Sequence, residues 1–322
     1  MDKVRTAVIG TGHFGRFHAD KYAKSPLSNF VGVVDADPGT RETVAGKYGI
    51  AAFADHRELI GKVDAVSVVV PTVLHHDVAR DLIDAGIHVL IEKPIAETVE
   101  QGAALVALAD RRNVVLQVGH LQRFLLERLG TAEFVGTPLY IESVRIHPFK
   151  PRALDVSVVL DLMIHDIDLV LAFANSPVET LHAIGTPVVT DEEDIANVRL
   201  GFASGCVANI TASRVSRTTE RRMRLFGRES YVSIDLQNRR FAAIRRGEGE
   251  PWAPGLPPVE RIEREYADGD DLAAEIDNFL GAVQGKHKPL VDGRAGLQAL
   301  DVALKIEEAT RAHRERILKT YG

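Results

Sequence analysis

Three ionisable side chains lie close together in one of the most apolar stretches of the chain. The stretch at 155–174 carries Asp161, His165 and Asp168. Residues three or four positions apart share a face of a helix, so this spacing places the three side chains together, with Asp166 pointing elsewhere. Carboxylates beside an imidazole hold the ring in place, which suits a general base. The alternative is a structural polar cluster on a buried helix. A metal site is not expected, because no third and fourth ligand lie nearby.

A lysine at the end of a predicted strand is the second candidate for chemistry. The apolar run at 88–91 predicts a buried parallel strand that ends at Glu92, Lys93 and Pro94. Ligands of parallel sheets bind beyond the carboxyl ends of the strands. Lys93 is therefore placed to donate a hydrogen bond to a substrate hydroxyl and to stabilise alkoxide character. A solvated surface lysine is the alternative.

A glycine-rich turn at 10–15 provides a site for a dinucleotide. A β-branched run at 4–9 predicts a strand before the turn, and residues 13–24 predict a helix after it. Gly10 permits a tight turn, Gly12 lets the backbone approach a pyrophosphate, and Gly15 lets the helix pack close to the strand. The free N–H groups at the start of the helix attract the anion.

An acid at the end of the second predicted strand indicates which dinucleotide binds. Asp35 follows Gly15 at the distance of about 20 residues expected for a carboxylate that binds the adenosine ribose. Such a carboxylate accepts a hydrogen bond from the 2′-hydroxyl of NAD and repels the 2′-phosphate of NADP, so NAD is the expected cofactor. His75 and His76 are adjacent and diverge on a helix, so we expect one near the cofactor and neither as a metal ligand. Strand ends and the turn together form the expected cofactor site: Gly10, Gly12, His13, Phe14, Gly15, Asp35, Pro71, Thr72, His75, Glu92 and Lys93.

The regular alternation of predicted strands and helices stops near residue 119, and this predicts two domains. Strands and helices alternate up to that point, which is typical of a doubly wound parallel sheet. The region after it predicts strand after strand in one large antiparallel sheet, with a proline-rich loop at 247–258. We therefore expect a dinucleotide-binding domain at 1–119 and an α+β domain at 120–322, whose last helix packs back on the first domain.

Composition excludes several classes of function. The chain has 322 residues and a formal net charge of −6, which argues against binding to nucleic acid or to anionic membranes. Cys206 is the single cysteine, so an internal disulfide and a thiolate metal cluster are impossible. No apolar run reaches the length of a membrane span, and no signal peptide precedes the first strand, so a cytoplasmic location is expected. Six arginines between Arg214 and Arg228 indicate either the wet face of a sheet or a site for an anionic substrate.

Several segments resemble the Gfo/Idh/MocA family of oxidoreductases. They occur in the family's order and span nearly the whole chain: GTGHFG at 10–15, EKP at 92–94, VGHLQRF at 118–124, DLMIHDID at 161–168, EDIANVRLGFASG at 193–205 and PLVDGRAGLQAL at 289–300. The resemblance implies that Lys93, Asp161 and His165 are catalytic and that His120 and Arg123 contact the substrate. The chain continues with Leu125-Leu126-Glu127 where the family often has a proline-containing turn, and this leaves the contact made by Arg123 open.

The resemblance also implies a reaction. It predicts an NAD-dependent dehydrogenase that moves a hydride between a sugar secondary alcohol and the nicotinamide. It also implies that the second domain is an open, mostly antiparallel sheet, through which a homodimer or homotetramer forms. Within the family, the motifs are most similar to a branch that oxidises the 3-hydroxyl of UDP-N-acetylglucosamine. The alternatives are an inositol or free-sugar dehydrogenase and a regulator of the same fold that senses NAD and sugar without turnover.

Overall fold

The computed structural model describes residues 2–151, 156–251, 253–266 and 269–321, and these form two compact units. The first unit comprises Met1–Phe124 and Asp270–Leu300, and the second comprises Leu125–Gly269 and Asp301–Gly322. None of the helices among these described residues is long and apolar enough to cross a bilayer.

Short and mostly buried strands build a six-stranded parallel sheet in the first unit. The strand order is β3-β2-β1-β4-β5-β6, which confirms the predicted doubly wound sheet. The strands are β1 (Val4–Ile9), β2 (Ser28–Val34), β3 (Ala51–Phe53), β4 (Ala65–Val68), β5 (His88–Glu92) and β6 (Leu116–Gly119). The helices between them are α1 (His13–Lys24), α2 (Pro38–Tyr48), α3 (His75–Asp84) and α4 (Val99–Arg112), with 3-10 turns at His56–Leu59 and Thr72–Leu74.

The second unit is built on an eight-stranded sheet with helices on it. The chain enters through α5 (Gln122–Leu129) and α6 (Ala132–Val135), forms β7 (Pro138–Ile146), and then passes through a π-helical turn (Val159–Met163) into α7 (Ile164–Ala174). The remaining strands are β8 (Val178–Thr186), β9 (Ile195–Phe202), β10 (Val207–Ser213), β11 (Glu220–Gly227), β12 (Ser230–Asp235), β13 (Arg240–Pro251) and β14 (Pro258–Glu265). Their order is β14-β13-β12-β11-β7-β10-β9-β8, and the β7–β10 pair is parallel whereas the other pairs are antiparallel. The predicted mostly antiparallel sheet is confirmed.

Two local predictions need correction. The predicted loop at 247–258 was wrong at both ends, because β13 extends to Pro251 and β14 begins at Pro258. Proline is tolerated here because, in the described part of the chain, β13 pairs with β12 only at 240–245, and β14 is an edge strand that begins at Pro258. Strand β14 was not predicted, because its closely spaced charges obscure the alternation of apolar residues. The helix was predicted over 155–174, and its first residue, Asp155, lies outside the described residues. The described part contains a π-helical turn in place of a continuous α-helix.

Helix α8 (Asp271–Val283) returns the chain to the first unit. It places Leu272, Ile276, Phe279 and Leu280 in a hydrophobic core that also contains Val8 and Tyr22. The last helix, α9 (Gly293–Tyr321), belongs to the first unit up to Leu300 and to the second unit beyond it. The division of the chain therefore differs from the single predicted boundary after Gly119, because the apolar face of α8 is buried in the first core.

Candidate active site

The glycine-rich turn has the backbone geometry that a dinucleotide requires. Gly10 has a φ of +87°, and a Cβ there would lie 2.5 Å from the main-chain oxygen of Val69. A Cβ on Gly15 would lie 1.8 Å from the oxygen of Gly10, so the turn and α1 pack without room for a side chain. At Gly12 no described atom lies within 4 Å of the Cβ position. Gly12 is also the N-cap of α1, so the open space lies at the positive end of the helix dipole and fits a pyrophosphate.

Asp35 lies against this turn at the end of β2. Its Oδ2 atom accepts hydrogen bonds from the main-chain N–H of Thr11 at 2.7 Å and from the Thr11 hydroxyl at 2.9 Å. The guanidinium of Arg41 donates to the main-chain oxygens of Asp35 and Ala36, both at 3.2 Å. The structure therefore brings the ribose-binding candidate and the glycine turn together.

The other predicted cofactor residues occupy neighbouring strand ends of the first unit. His13 and Phe14 are exposed on the first turn of α1, and Phe14 contacts the ring of His18. Pro71 is exposed after β4, and Thr72 begins the 3-10 turn that follows it. Because β2, β1, β4 and β5 are adjacent in the sheet, these residues share the edge where a dinucleotide binds in such folds.

His75 has a different environment from the one its predicted role implies. Its side chain is buried, with Nδ1 lying 2.8 Å from the main-chain oxygen of Pro94 and Nε2 lying 2.9 Å from that of Val70. Burial lowers the pKa of His75 below its ordinary value, although the two carbonyl oxygens act in the opposite direction. Both ring nitrogens face main-chain oxygens, and a neutral ring donates to one of them, so His75 packs between the end of β4 and the turn that carries Lys93.

Glu92 and Lys93 form the turn at the end of β5. Glu92 Oε1 lies 3.1 Å from His18 Nε2, and Glu92 Oε2 accepts a hydrogen bond from the main-chain N–H of Lys93 at 3.3 Å. The Glu92 carboxylate also packs against Gly119, where a Cβ would lie 2.7 Å from Oε1. Lys93 is half-buried.

His120 and Arg123 follow β6 directly. The His120 side chain is buried and that of Arg123 is half-buried. The main-chain N–H of Arg123 donates to the His120 oxygen at 3.1 Å, which opens α5. The two predicted substrate residues are therefore joined in one turn at the end of β6.

The ionisable residues of the apolar helix fall into two groups by their burial. Asp161, in the π-helical turn, and His165, on α7, are both half-buried. Asp166 and Asp168 are almost fully buried. The Asp166 carboxylate accepts from Arg145 Nε at 2.5 Å and from the Ser143 hydroxyl at 2.8 Å, so it anchors α7 to β7. Asp168, which was expected beside His165, is buried as well.

Three of the six arginines at 214–228 pair with separate acidic residues. Arg214 is buried, and its Nε donates to Asp194 Oδ1 at 2.7 Å. Burial alone would raise the pKa of Asp194, but main-chain N–H groups at 188–190 and Arg214 outweigh it and hold the pKa well below its ordinary value. Arg222 pairs with Glu220 at 2.7 Å, and Arg224 pairs with Glu142. Arg217 and Arg228 are exposed. This pattern favours the interpretation as a solvated sheet face.

Sequence analysis missed a buried polar group behind Glu92. It consists of His18 and Tyr22 on α1, Ser67 on β4 and Glu275 on α8, all fully buried. Glu275 carried a signal in the sequence, because it stands between Leu272, Ile276 and Phe279 on the apolar face of an amphipathic helix. His18 carried no such signal, because α1 has several polar residues and a position at the surface would explain any of them.

Comparison with known proteins identifies the family. Residues 4–120 match the model of an oxidoreductase family with an NAD-binding Rossmann fold, and residues 126–233 match the GFO/IDH/MocA C-terminal domain. The chain belongs to the Gfo/Idh/MocA family. The predicted family, the Rossmann-type NAD-binding domain and the assignment as a dehydrogenase are confirmed.

Individual members of the family are similar over nearly the whole chain. UDP-N-acetylglucosamine 3-dehydrogenase from Acidithiobacillus ferrooxidans is 41% identical over 318 residues, which covers 98% of this chain and 100% of that protein. Its solved structure matches with a TM-score of 0.88 over 97% of this chain and 99% of that one. Inositol 2-dehydrogenase from Rhizobium meliloti is 28% identical and covers 93% of this chain and 94% of the relative. A levoglucosan dehydrogenase in complex with NADH shares the fold, with a TM-score of 0.85, 17% identity and coverage of 97% of this chain and 98% of that one.

Proposed function

We propose that this protein oxidises a secondary hydroxyl of a UDP-sugar, namely the 3-hydroxyl of UDP-N-acetylglucosamine, with NAD as the hydride acceptor. The observation that carries the substrate is the 41% identity to UDP-N-acetylglucosamine 3-dehydrogenase across 98% of the chain. An inositol or free-sugar dehydrogenase is the competing assignment, supported by the inositol 2-dehydrogenase at 28% identity.

The first unit supplies the proposed cofactor site. Gly10, Gly12 and Gly15 let the backbone hold the pyrophosphate, and the Asp35 carboxylate accepts from the ribose 2′-hydroxyl. That carboxylate supports NAD over NADP, because it would repel a 2′-phosphate. The same strand ends are lined by His13, Phe14, Pro71 and Thr72. His75 and Glu92 support the backbone of this site. When bound, the nicotinamide supplies the acceptor for the hydride.

The chain's own groups handle the substrate hydroxyl. His165 takes its proton on an imidazole nitrogen, as a general base. Lys93 donates a hydrogen bond from Nζ to the same oxygen and stabilises its developing charge. Asp161 positions the substrate or the imidazole. Asp166 is excluded from this chemistry because Arg145 and Ser143 occupy its carboxylate.

Further assignments follow from the same proposal. His120 and Arg123 contact the sugar, and the sheet of the second unit joins subunits of a homodimer or homotetramer in the cytoplasm. Arg217 and Arg228 are exposed members of the arginine group and are accessible to a diphosphate.

Substrate and catalytic residues are tested together by following NADH formation. The purified protein is given NAD or NADP with a panel of UDP-sugars, inositols and free sugars. We expect turnover with UDP-N-acetylglucosamine and NAD. Turnover with an inositol alone would assign an inositol as the substrate instead. Tight NADH binding without turnover on any alcohol would support a sensor.

Matched variants test the residues in the same assay. His165→Asn and Lys93→Met should each lower kcat at least about a hundredfold, the usual effect of removing a general base or an oxyanion donor. His182→Asn on β8 and Lys286→Met after α8 change the same residue types at exposed positions and should leave kcat unchanged. If His165→Asn and Lys93→Met kept wild-type turnover, the mechanism would be wrong.

A further inference from the structure

Four side chains of the first unit form a continuous polar chain inside the core. The Tyr22 hydroxyl lies 2.8 Å from Ser67 Oγ, which lies 3.0 Å from His18 Nδ1. His18 Nε2 lies 3.1 Å from Glu92 Oε1. Tyr22, Ser67 and His18 are fully buried, so the two contacts among them are made away from water, whereas the Glu92 side chain is 15% exposed. The chain links α1 and β4 to the end of β5.

Hydrogen-bond chemistry gives this chain a direction. An ionised Glu92 can only accept, so His18 carries a proton on Nε2 and donates it. In the neutral ring Nδ1 then accepts from the Ser67 hydroxyl, and Ser67 accepts from Tyr22. Burial raises the pKa of Tyr22, so its hydroxyl keeps the proton that it donates. One arrangement of protons therefore satisfies all four groups and ends on the Glu92 carboxylate.

Glu275 lies beside the chain without joining it by a hydrogen bond. Its carboxyl group is fully buried, and neither oxygen has a hydrogen-bond partner among the described residues. Burial, and then the carboxylates of Glu92 and Asp271, raise the pKa of Glu275 well above its ordinary value. With its pKa raised, Glu275 ionises less readily beside Glu92 than an exposed glutamate does.

The Glu92 carboxylate connects this network to the turn of Lys93. Its second oxygen, Oε2, accepts from the main-chain N–H of Lys93 at 3.3 Å. Gly119 closes the other side, since a Cβ there would lie 2.7 Å from Oε1. Moving the carboxylate would therefore shift the first peptide of the turn. A hydrogen bond from His18 to the charged carboxylate opposes such a movement.

We infer that His18 is a positioning residue, which acts through Glu92 to hold the turn that carries Lys93. The consequence for turnover rests on the proposed function, whereas the consequence for the Lys93 side chain does not. His18 needs no contact with the substrate in this role. Its effect requires a donor at the position of Nε2, and a donor at the position of Nδ1 cannot replace it.

Two amide variants separate these positions. Glutamine places its amide nitrogen near the position of Nε2, and asparagine places its own near Nδ1. His18→Gln therefore keeps the hydrogen bond to Glu92, and His18→Asn loses it while keeping a contact with Ser67. Both variants, wild type and the control Tyr48→Phe are compared by kcat, by the dissociation constant for NADH and by thermal unfolding. Lys93 is assayed separately through its rate of acylation by an activated ester, read by peptide mass spectrometry without substrate.

The expected result is a split between the two variants. His18→Asn should lower kcat about tenfold, the effect of one lost charge-assisted hydrogen bond, with the NADH dissociation constant little changed. It should also change the acylation rate of Lys93, whereas His18→Gln and Tyr48→Phe should match wild type in both measurements. Equal acylation rates in folded His18→Asn, His18→Gln and wild type would overturn the inference. If Lys93→Met keeps full turnover the proposed mechanism fails instead, and the acylation rates still decide the role of His18.

Discussion

His18 Nε2 lies 3.1 Å from Glu92 Oε1, although 74 positions separate the two residues in the chain. This contact joins the helix that follows the glycine turn to the turn that carries Lys93. The cofactor cradle and the proposed alkoxide stabiliser are therefore parts of one hydrogen-bonded framework. A substitution in either part can affect the other without touching a ligand.

Alanine substitutions at Gly12 and Gly15 should have different effects, one on NADH binding and the other on stability. Gly15→Ala puts a Cβ 1.8 Å from the Gly10 oxygen, so the backbone must move, and the free energy of unfolding should fall by about 1–3 kcal/mol. Gly12→Ala meets no described atom within 4 Å and should keep wild-type stability. Its methyl group blocks the approach of the pyrophosphate, so the NADH dissociation constant should rise about tenfold. Thermal unfolding without cofactor and NADH fluorescence titration measure the two effects, and equal stability of both variants would contradict this account.

Asp35 should set the preference between the two nicotinamide cofactors. Asp35→Asn keeps the shape of the side chain and an acceptor for Thr11, but it removes the charge that repels a 2′-phosphate. The ratio of kcat/KM for NADP to kcat/KM for NAD should therefore rise about tenfold. Glu42→Gln removes an exposed charge from α2 and should leave the ratio unchanged. An unchanged ratio in Asp35→Asn would assign the choice of cofactor to other groups, such as Arg41.

Local patterns predicted the elements of the first sheet because each signal lies within a few residues. The glycines at 10–15 follow a buried strand directly, and Thr98 and Asp55 cap their helices with side-chain hydrogen bonds. Such signals depend on neighbouring residues and can be read from a sequence.

Features formed by distant segments could not be found in this way. Helix α8 has an ordinary amphipathic pattern, and nothing within it tells which core receives its apolar face. The polar chain behind Glu92 brings together residues from α1, β4 and β5, and no periodicity relates them. The π-helical turn before α7 likewise depends on packing rather than on a local motif, so the sequence placed Asp161 and His165 on one helix but did not predict the π-helical turn that contains Asp161.

Arg214 should contribute to stability, and Arg217 and Arg228 to substrate binding. Arg214→Gln leaves the buried Asp194 carboxylate without its cation, which should lower the free energy of unfolding by about 3 kcal/mol or more. The exposed pair, changed together to glutamine, should leave stability unchanged and weaken binding of a UDP-sugar but not of an inositol. Denaturant unfolding and calorimetric titration measure these effects. Unchanged UDP-sugar affinity in the double variant would remove both arginines from the diphosphate site.

Glu275 should make the protein less stable as pH rises. Its pKa in the folded protein is raised above the ordinary value of 4.5, so the folded state holds a proton that the unfolded state releases. Stability is therefore full below about pH 4.5 and falls as pH rises toward the folded pKa, by about 1.4 kcal/mol for each unit of the shift. Glu275→Gln mimics the neutral acid and removes this loss. The variant should match wild type near pH 4 and exceed its unfolding temperature at pH 8, whereas Glu100→Gln at an exposed site of α4 should follow wild type throughout. Parallel curves for Glu275→Gln and wild type across this range would show that Glu275 is ionised in the folded protein.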